Sequence, residues 1–408
     1  MKLDLLNANA TRVLRILESY GFQAYIVGGA VRDILMNRSP DDCDICTNAL
    51  PEQIRDIFEN KEPGYKTVLV GEKYGTVQVL SKTDGECFEI TTFRSDDEYI
   101  DGRHPKSVSF SKNIADDLKR RDFTVNSIAC SADFNIIDLF DGQGDIKNKI
   151  IRAVGNPYDR FNEDALRMIR AVRFSAKLGF EIEYATKSAI RSLASNITFV
   201  SKERITIEAE KILLSGNPEK FTDLSDLNLL EYIMPCLDCE IKTKKISQAD
   251  KIKLLKSDFC VRFAALFAIY SFDTRDLKKL RLKNKDAADI KNIFAAVRII
   301  TADENHENPK VFLKNILRNF GLYVTESALN IANILHDINY FAIAREIISS
   351  GEAYDLSNLK IKGSDIINIT GEQSGKKIGV ILEKCLDYII ENPEYNTHEY
   401  LIDFVKLK

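Results

Sequence analysis

The sequence predicts an α+β protein: a mixed sheet with helices over residues 1–150, then an all-α remainder. Short runs of β-branched and aromatic residues crowd into the first part, separated by turn residues. Beyond Ile150 the apolar residues recur at helical spacing instead, as in Leu166, Ile169, Val172 and Ala176. Glycine and proline are sparse there until Gly351. A chain of 408 residues is long for one core. The helical part accordingly divides into 151–218, 219–305 and 306–408, with TADENHENPK at 301–310 reading as a linker.

Leu6, Val13, Leu14, Ile16 and Leu17 are spaced for a helix over 6–20 that Gly21 stops. Ala24–Asn48 then reads as strand, turn, short helix and strand. Tyr25, Ile26 and Val27 favour extended backbone, and Gly28-Gly29 lets the chain turn sharply and approach a ligand. Ala30–Met36 suits a short helix whose free N–H groups face that ligand, and Asn37 and Pro40 end it. Leu50-Pro51-Glu52 opens a helix to about Phe58. Thr67–Val70, Thr76–Leu80 and Cys87–Phe93 read as strands, and Arg94–Lys106 as a charged loop. Ser111–Arg121 suits a short helix, Phe123–Cys130 continues in apolar sequence, and Ile136–Leu139 makes a last strand. Helices follow over Glu163–Gly179, Tyr184–Ala194 and Ser201–Leu214.

An apolar content of 45% and a charged content of 29% are those of a soluble globular protein. No run nears the ~18 apolar residues of a membrane helix, and MKLDLLNANATRVLRIL is no signal peptide, so a cytoplasmic protein is expected. The eight cysteines are scattered, as reduced core thiols are. Cys43-x-x-Cys46 and Cys236-x-x-Cys239 have metal-like spacing but lie far apart, and on a strand Cys43 and Cys46 face opposite sides. A net charge of −4 argues weakly against a nucleic-acid partner, yet Ile241–Lys285 holds 13 Lys and Arg against 4 Asp and Glu. Either a solvated helical surface or a phosphate-binding face explains that segment.

Three constellations carry chemistry. Asp42 and Asp44 lie two apart, so a strand presents both on one face, where they repel unless a cation sits between them. Glu89, flanked by apolar residues, is the candidate third acid for Mg²⁺. Turn residues at a strand start are the plainer reading of the two aspartates. Arg120-Arg121-Asp122-Phe123 is either a helix end or a phosphate clamp. Asp164, Arg167, Arg170 and Arg173 recur at steps of three, as on a salt-bridged exposed helix or on one that reads a base. In the second case Asp accepts from the exocyclic amino group of cytosine or adenine, and Arg donates to the adjoining ring nitrogen. Uracil and guanine would leave Asp facing a carbonyl.

In order and spacing these stretches resemble the tRNA nucleotidyltransferase and poly(A) polymerase family, most closely its bacterial-type (class II) CCA-adding enzymes. The residues that carry the resemblance are GGAVRD at 28–33, DDCDICTNALPEQI at 41–54, GTVQVL at 75–80, FEITTFR at 88–94, RRDFTVNSIA at 120–129 and RFNEDALRMIRAVRFSAKLGF at 160–180. LKIKGSDIINITGEQSGKKIGVIL at 359–382 and ENPEYNTHEYL at 391–401 extend it to most of the chain. The resemblance implies a DNA-polymerase-beta-like nucleotidyltransferase head at 1–150, a helical neck at 151–218, a body at 219–305 and a tRNA-binding tail at 306–408. It implies Mg²⁺ on the catalytic acids Asp42, Asp44 and Glu89. Gly28, Gly29, Arg32 and Arg121 would hold the nucleotide's triphosphate or sugar. Asp164 and Arg167, supported by Arg170 and Arg173, would pair with CTP or ATP. tRNA would be gripped at its acceptor stem and elbow, by a monomer or a homodimer. Ser127 departs from the usual alanine, and Cys43 and Cys46 from the usual small or aliphatic residues, Cys43 bringing sensitivity to oxidation beside the acids.

Within that family full CCA addition is the expectation. The loop Arg94–Lys106 is intact, unlike that of CC-adding enzymes, and Gly71-Glu72-Lys73-Tyr74-Gly75 replaces the arginine-rich run of bacterial poly(A) polymerases, whose long basic C-terminus is absent too. A-only addition and the tailing of other RNAs are the alternatives. A non-catalytic RNA-binding protein would have lost Asp42 or Asp44, and a dinucleotide-binding oxidoreductase would carry G-x-G-x-x-G. His336-Asp337 is read as helix surface or core, since four histidines are too few for a phosphohydrolase site.

Overall fold

Asn7 opens the first helix, α1 (Ala8–Ser19), by accepting hydrogen bonds from the amides of Asn9 and Ala10. The structure is a computed structural model that describes residues 7–68, 75–96, 108–244, 248–271, 274–302, 306–372 and 375–407. Most of the Arg94–Lys106 loop and of the Gly71–Gly75 run lies outside the described residues. The chain forms two units, 1–239 with 279–281 and 240–278 with 282–408.

In the first unit, β1 (Ala24–Val27), α2 (Gly29–Leu35) and β2 (Asp44–Thr47) follow α1 as the sequence predicts. Pro51 starts α3 (Pro51–Arg55), which widens into a π turn over Asp56–Lys61 that carries the buried Ile57 and Phe58. Three strands come next, β3 (Tyr65–Val68), β4 (Thr76–Ser81) and β5 (Cys87–Thr92), then the pair β6 (Arg94–Asp96) and β7 (Val108–Phe110). Helix α4 (Ile114–Lys119) starts later than Ser111 because the Asn113 side chain accepts from the Ala115 amide and fixes the helix start there. β8 (Ile128–Cys130) and β9 (Ile136–Asp138) complete a seven-stranded sheet in the order β3-β4-β5-β2-β1-β8-β9. Only β2 and β5 run parallel; every other neighbouring pair is antiparallel.

Alternation sorts the two faces of this sheet. Ile26, Ile45, Ile90, Phe88, Val77 and Ile128 join Val13, Leu14 and Leu17 of α1 and Val31 and Ile34 of α2 in the main core. Each such side chain contributes about 1.5–3 kcal/mol on burial. Val27, Cys46, Phe93 and Ala129 turn the other way, toward Leu118 of α4. Cys43 packs with the first cluster and Cys46 with the second, the opposite facing expected of them.

The remaining elements of this unit are α5 (Gly142–Asn148), β10 (Ile150–Ile151), α6 (Pro157–Glu163), α7 (Leu166–Leu178), β11 (Glu181–Ile182), α8 (Tyr184–Leu193) and α9 (Lys202–Leu213). β10 and β11 pair in parallel. The helix expected over Glu163–Gly179 therefore begins only at Leu166, and Glu163 ends the preceding α6. Asp164 breaks it with extended backbone (φ −146°, ψ 105°), and its carboxylate accepts from the Leu166 amide at 3.0 Å, a cap that competes with continuing the helix. Asp164 and Arg167 are consequently not two residues of one helix surface.

In the second unit the helices Phe259–Tyr270, Asn284–Ala302 and Pro309–His336 pack in succession. The last is kinked at Gly321 (φ 75°, ψ 172°), a conformation open essentially to glycine alone. His336 ends that helix and Asp337 follows in left-handed conformation (φ 59°), so this pair is a helix terminus. Gly363–Thr370, Lys376–Glu391 and His398–Lys406 close around Ile366, Leu386, Ile389 and Leu401. Among the described residues no helix is long and apolar enough to cross a membrane.

Candidate active site

The parallel pairing of β2 with β5 sets Ile45 opposite Ile90, so Asp44 and Glu89 stand abreast one residue earlier on each strand. Asp42, Asp44 and Glu89 are exposed, and Gln78 of β4 donates to Glu89 at 3.2 Å. Although water reaches Asp44, surrounding protein atoms crowd its carboxyl, and the lost hydration raises it above the usual aspartate range. Arg121 is the strongest opposing influence, while Glu89 and Asp42 add to the rise. Among the described residues no three His, Cys, Asp or Glu side chains converge closely enough to hold a metal ion by themselves. Burial, with help from Glu86, Asp44 and Asp42, pushes the Cys43 thiol up to about 11. A thiol held protonated at neutral pH is the form least open to oxidation, contrary to the sensitivity expected of it.

Val27 of β1 pairs with Asp44, which puts the Gly28–Gly29 turn at the same end of the sheet. Gly28 has φ 72°, and a Cβ there would come within 3.0 Å of Arg121 Nη1. Its own amide donates to the Ile128 carbonyl at 3.3 Å, so this N–H, at least, is spent on the sheet. Arg32 lies behind the turn and is only 2% exposed. It donates to Asn126 Oδ1 at 2.6 Å and, through Nε and Nη2, to the carboxylate of Asp33. Arg120 and Arg121 share Asp117: Arg120 Nη2 binds one oxygen at 2.6 Å and Arg121 Nη2 the other at 3.0 Å. Both earlier readings of the two arginines contain part of this: they follow a helix end, and they are aimed and fixed by a buried acid.

Arg167 is 9% exposed and its guanidinium is held by several partners. It donates to Glu163 Oε2 at 2.5 Å, to the Arg160 carbonyl at 3.2 Å and to the Arg120 carbonyl at 3.0 Å. Asp164 Oδ2 accepts from Arg204 of α9 at 2.7 Å. Arg170 donates to Asp122 at 2.8 Å, and Arg173 Nε stands 2.7 Å from Glu208, an ion pair lacking hydrogen-bond alignment. Burial draws Arg173 below the usual arginine range, with Glu208 resisting. The guanidinium groups of Arg32, Arg170 and Arg173 all lie over the Phe174 ring, at 5.7, 5.3 and 3.9 Å from its centre. A cavity of about 240 Å³ lined by Ser95, Asp116, Lys119, Arg120, Arg160 and Glu163 opens beside this cluster. Larger cavities lie elsewhere, so size does not mark the site.

The predicted residues thus fall into two groups. Asp44, Glu89, Gly28, Gly29 and Arg121 gather at one end of the sheet, with Asp42 just before β2 and Arg32 beneath the turn. Asp164, Arg167, Arg170 and Arg173 lie along the start of α7, each paired with a residue of another element or of the preceding turn. The partners Asp117 and Arg204 were missed by sequence reasoning. Asp117 had a signal, since it precedes Arg120 and Arg121 by three and four positions on a helix. Arg204 had none, because it comes from a separate helix.

Residues 24–152 match the family model of the poly A polymerase head domain. Residues 179–241 match the model described as "probable RNA and SrmB-binding site of polymerase A", and 263–405 the one described as "tRNA nucleotidyltransferase domain 2 putative". Mixed-sheet head, helical remainder and these matches define a nucleotidyltransferase. The chain is 32% identical to the CCA-adding enzyme of Staphylococcus epidermidis, over 97% of this chain and 96% of that protein. It is 34% identical to the CCA-adding enzyme of Pediococcus pentosaceus, over 97% of each. Its structure is similar to that of the Bacillus stearothermophilus CCA-adding enzyme in complex with CTP, with a TM-score of 0.82, 30% identity and 97% and 95% of the two chains covered. The chain belongs to the CCA-adding enzymes of the tRNA nucleotidyltransferase and poly(A) polymerase family, whose chemistry depends on a divalent metal ion.

Proposed function

We propose that this chain adds CMP, CMP and then AMP to the 3′ end of tRNA, taking CTP and ATP, using no nucleic-acid template and releasing pyrophosphate. The carrying observation is Asp44 and Glu89 abreast on β2 and β5, at the sheet end where Arg121 overhangs the Gly28 turn. This grouping supports reading the acids as the holders of a cation and Arg121 as the partner of phosphate. The solved relative in complex with CTP supports the same substrate class. CTP, ATP and tRNA are found together in the cytoplasm, where we place the protein.

Asp42, Asp44 and Glu89 offer oxygen donors only, which suits Mg²⁺. That they do not close on a point by themselves fits an ion completed by substrate phosphates. Bound there, Mg²⁺ would neutralise triphosphate charge and acidify the attacking hydroxyl. Arg121, held by Asp117, adds fixed positive charge on the phosphate side. A Cβ at Gly28 would crowd Arg121 Nη1, so the glycine leaves that guanidinium room to face the nucleotide. The terminal ribose oxygen attacks the α-phosphorus, the bond to the pyrophosphate oxygen breaks, and the hydroxyl proton leaves to base or water. Asp164 accepts from the exocyclic amino group of cytosine or adenine and Arg167 donates to the ring nitrogen, with Arg170 and Arg173 behind them. The division into head 1–150, neck 151–218, body 219–305 and tRNA-gripping tail 306–408 belongs to this reading.

Purified protein given tRNAs ending before C, after C and after CC, with labelled CTP or ATP, is expected to complete CCA on each. Addition of A alone, and only to the tRNA ending in CC, would replace this reading with an A-adding enzyme. Asp42→Ala is expected to abolish transfer while tRNA binding is retained; normal turnover in that variant sinks the metal assignment.

A further inference from the structure

We infer that Phe174 is a positioning residue for nucleotide binding: its ring is the shared surface that keeps Arg32, beneath the glycine turn, in register with Arg170 on α7. The inference rests on the reading of those two arginines as nucleotide-binding residues. Phe174 is 6% exposed and belongs to α7, whereas Arg32 belongs to α2. The Arg32 guanidinium lies 5.7 Å from the ring centre, and those of Arg170 and Arg173 lie 5.3 and 3.9 Å from the same centre. Phe123, with no exposed surface, meets the ring edge-to-face at 5.7 Å and limits its rotation.

Three cations around one ring repel one another, and each leans on an acid of its own. Arg32 donates to Asp33 at 2.9 and 3.0 Å, Arg170 donates to Asp122 at 2.8 Å, and Arg173 stands 2.7 Å from Glu208. Those acids sit on different elements, so each steadies one of the three arginines. A polar route from Arg32 to Arg170 does exist. Arg32 donates to Asn126 at 2.6 Å and Asn126 to Asp122, but that second link is 3.4 Å long. The ring is the contact that all three arginines share. A further carboxylate in its place would neutralise charge meant for phosphate, whereas a π face attracts guanidinium and adds no net charge. Arg32 stands directly under the turn, since a Cβ at Gly29 would lie 3.4 Å from its Nη2. Any drift of Arg32 off the ring is therefore felt where the nucleotide is held.

The test replaces Phe174 in the full chain by mono-, di- and trifluorinated phenylalanine, because fluorine drains electron density from the ring face and hardly alters its size. Arg32→Ala is made beside them. KM and kcat for CTP and ATP on tRNA, tRNA affinity and thermal melting are measured. The KM for both nucleotides is expected to rise with each fluorine, to roughly tenfold in the trifluorinated protein, the effect of losing a desolvated cation–π contact of about 1.4 kcal/mol. kcat, tRNA affinity and melting temperature should hold. A flat series, beside an Arg32→Ala variant whose KM has risen, overturns the role of Phe174 and leaves that of Arg32 standing. An unchanged KM in Arg32→Ala overturns the reading of Arg32 as a nucleotide-binding residue and this inference with it. A KM that follows a falling melting temperature instead of the fluorine count marks packing alone and overturns the inference as well. Should Arg32→Ala melt below the assay temperature, Arg32→Gln is read in its place by the same outcomes.

Discussion

Asp117 has no exposed side-chain surface, and guanidinium groups close on both of its oxygens. Burial alone would raise its carboxyl, but Arg121 and Arg120 outweigh burial and hold it below the usual aspartate range. The linkage follows from that direction. A depressed acid contributes stability that is complete above the unfolded value, near ~3.9 for aspartate, and is lost as pH falls through the folded value. Asp117→Ala is expected to cost up to about 3–5 kcal/mol at neutral pH, because two half-buried cations lose their buried partner. The gap between variant and parent, measured by denaturant unfolding, should narrow as the pH is taken below ~4. A gap that stays constant with pH would show that Asp117 does not act through its charge. Asp122, buried but held down by Arg170, shares the sign and sharpens the same acid limb.

At the scale of elements, the strands were legible because β-branched runs and turn residues alternate along residues 24–138, and β1, β4 and β5 fall where those runs fall. Of the candidate acids, Asp44 and Glu89 fall on strands as read, but β2 begins only at Asp44, so the period-two argument expected to place Asp42 on the same face does not reach it. The break at Asp164 was not. The stripe Leu166, Ile169, Val172 and Ala176 belongs to α7, but Glu163 and Asp164 continue its rhythm in sequence, and only the side-chain cap seen at Leu166 separates them. Widening into a π turn after Arg55 is equally silent, because Ile57 and Phe58 are adjacent apolar residues that either helix type can bury. Cross-element partners such as Arg204 leave no periodic mark at all. The kink at Gly321 allows a direct check on a helix of the second unit. Nothing lies within 4 Å of a Cβ built there, so Gly321→Ala meets backbone strain only. We expect it to destabilise that unit by about 1–3 kcal/mol, read as a lowered melting transition. An unchanged melt would mean that the helix straightens without cost.

For the whole molecule the charge is −4, and a polyanionic partner requires that its cations be segregated. The basic stretch 241–285 is not uniformly available for that. Arg262 is 5% exposed and donates to the Leu255 carbonyl, so it serves the fold. Lys253, Lys256, Lys283 and Lys285 are exposed. Replacing Lys253 and Lys256 by Glu is expected to weaken tRNA binding at low salt and flatten its dependence on salt concentration by about one unit of log–log slope per lost phosphate contact. The KM for CTP on bound tRNA should not move. Unaltered tRNA affinity would show those two lysines to be ordinary solvated surface.

The strand order has a consequence for how the protein is made. β1, which delivers the glycine turn, needs β8 on one side, and β2, which delivers Asp44, needs β5 on the other. A nascent chain that has not yet released Ile128–Cys130 from the ribosome therefore cannot close the sheet around the acids, whatever helices it has already formed. If the acids act as proposed, the end of the sheet that carries them assembles as a late, long-range event of synthesis, and fragments ending before β8 should have no transferase activity to misdirect.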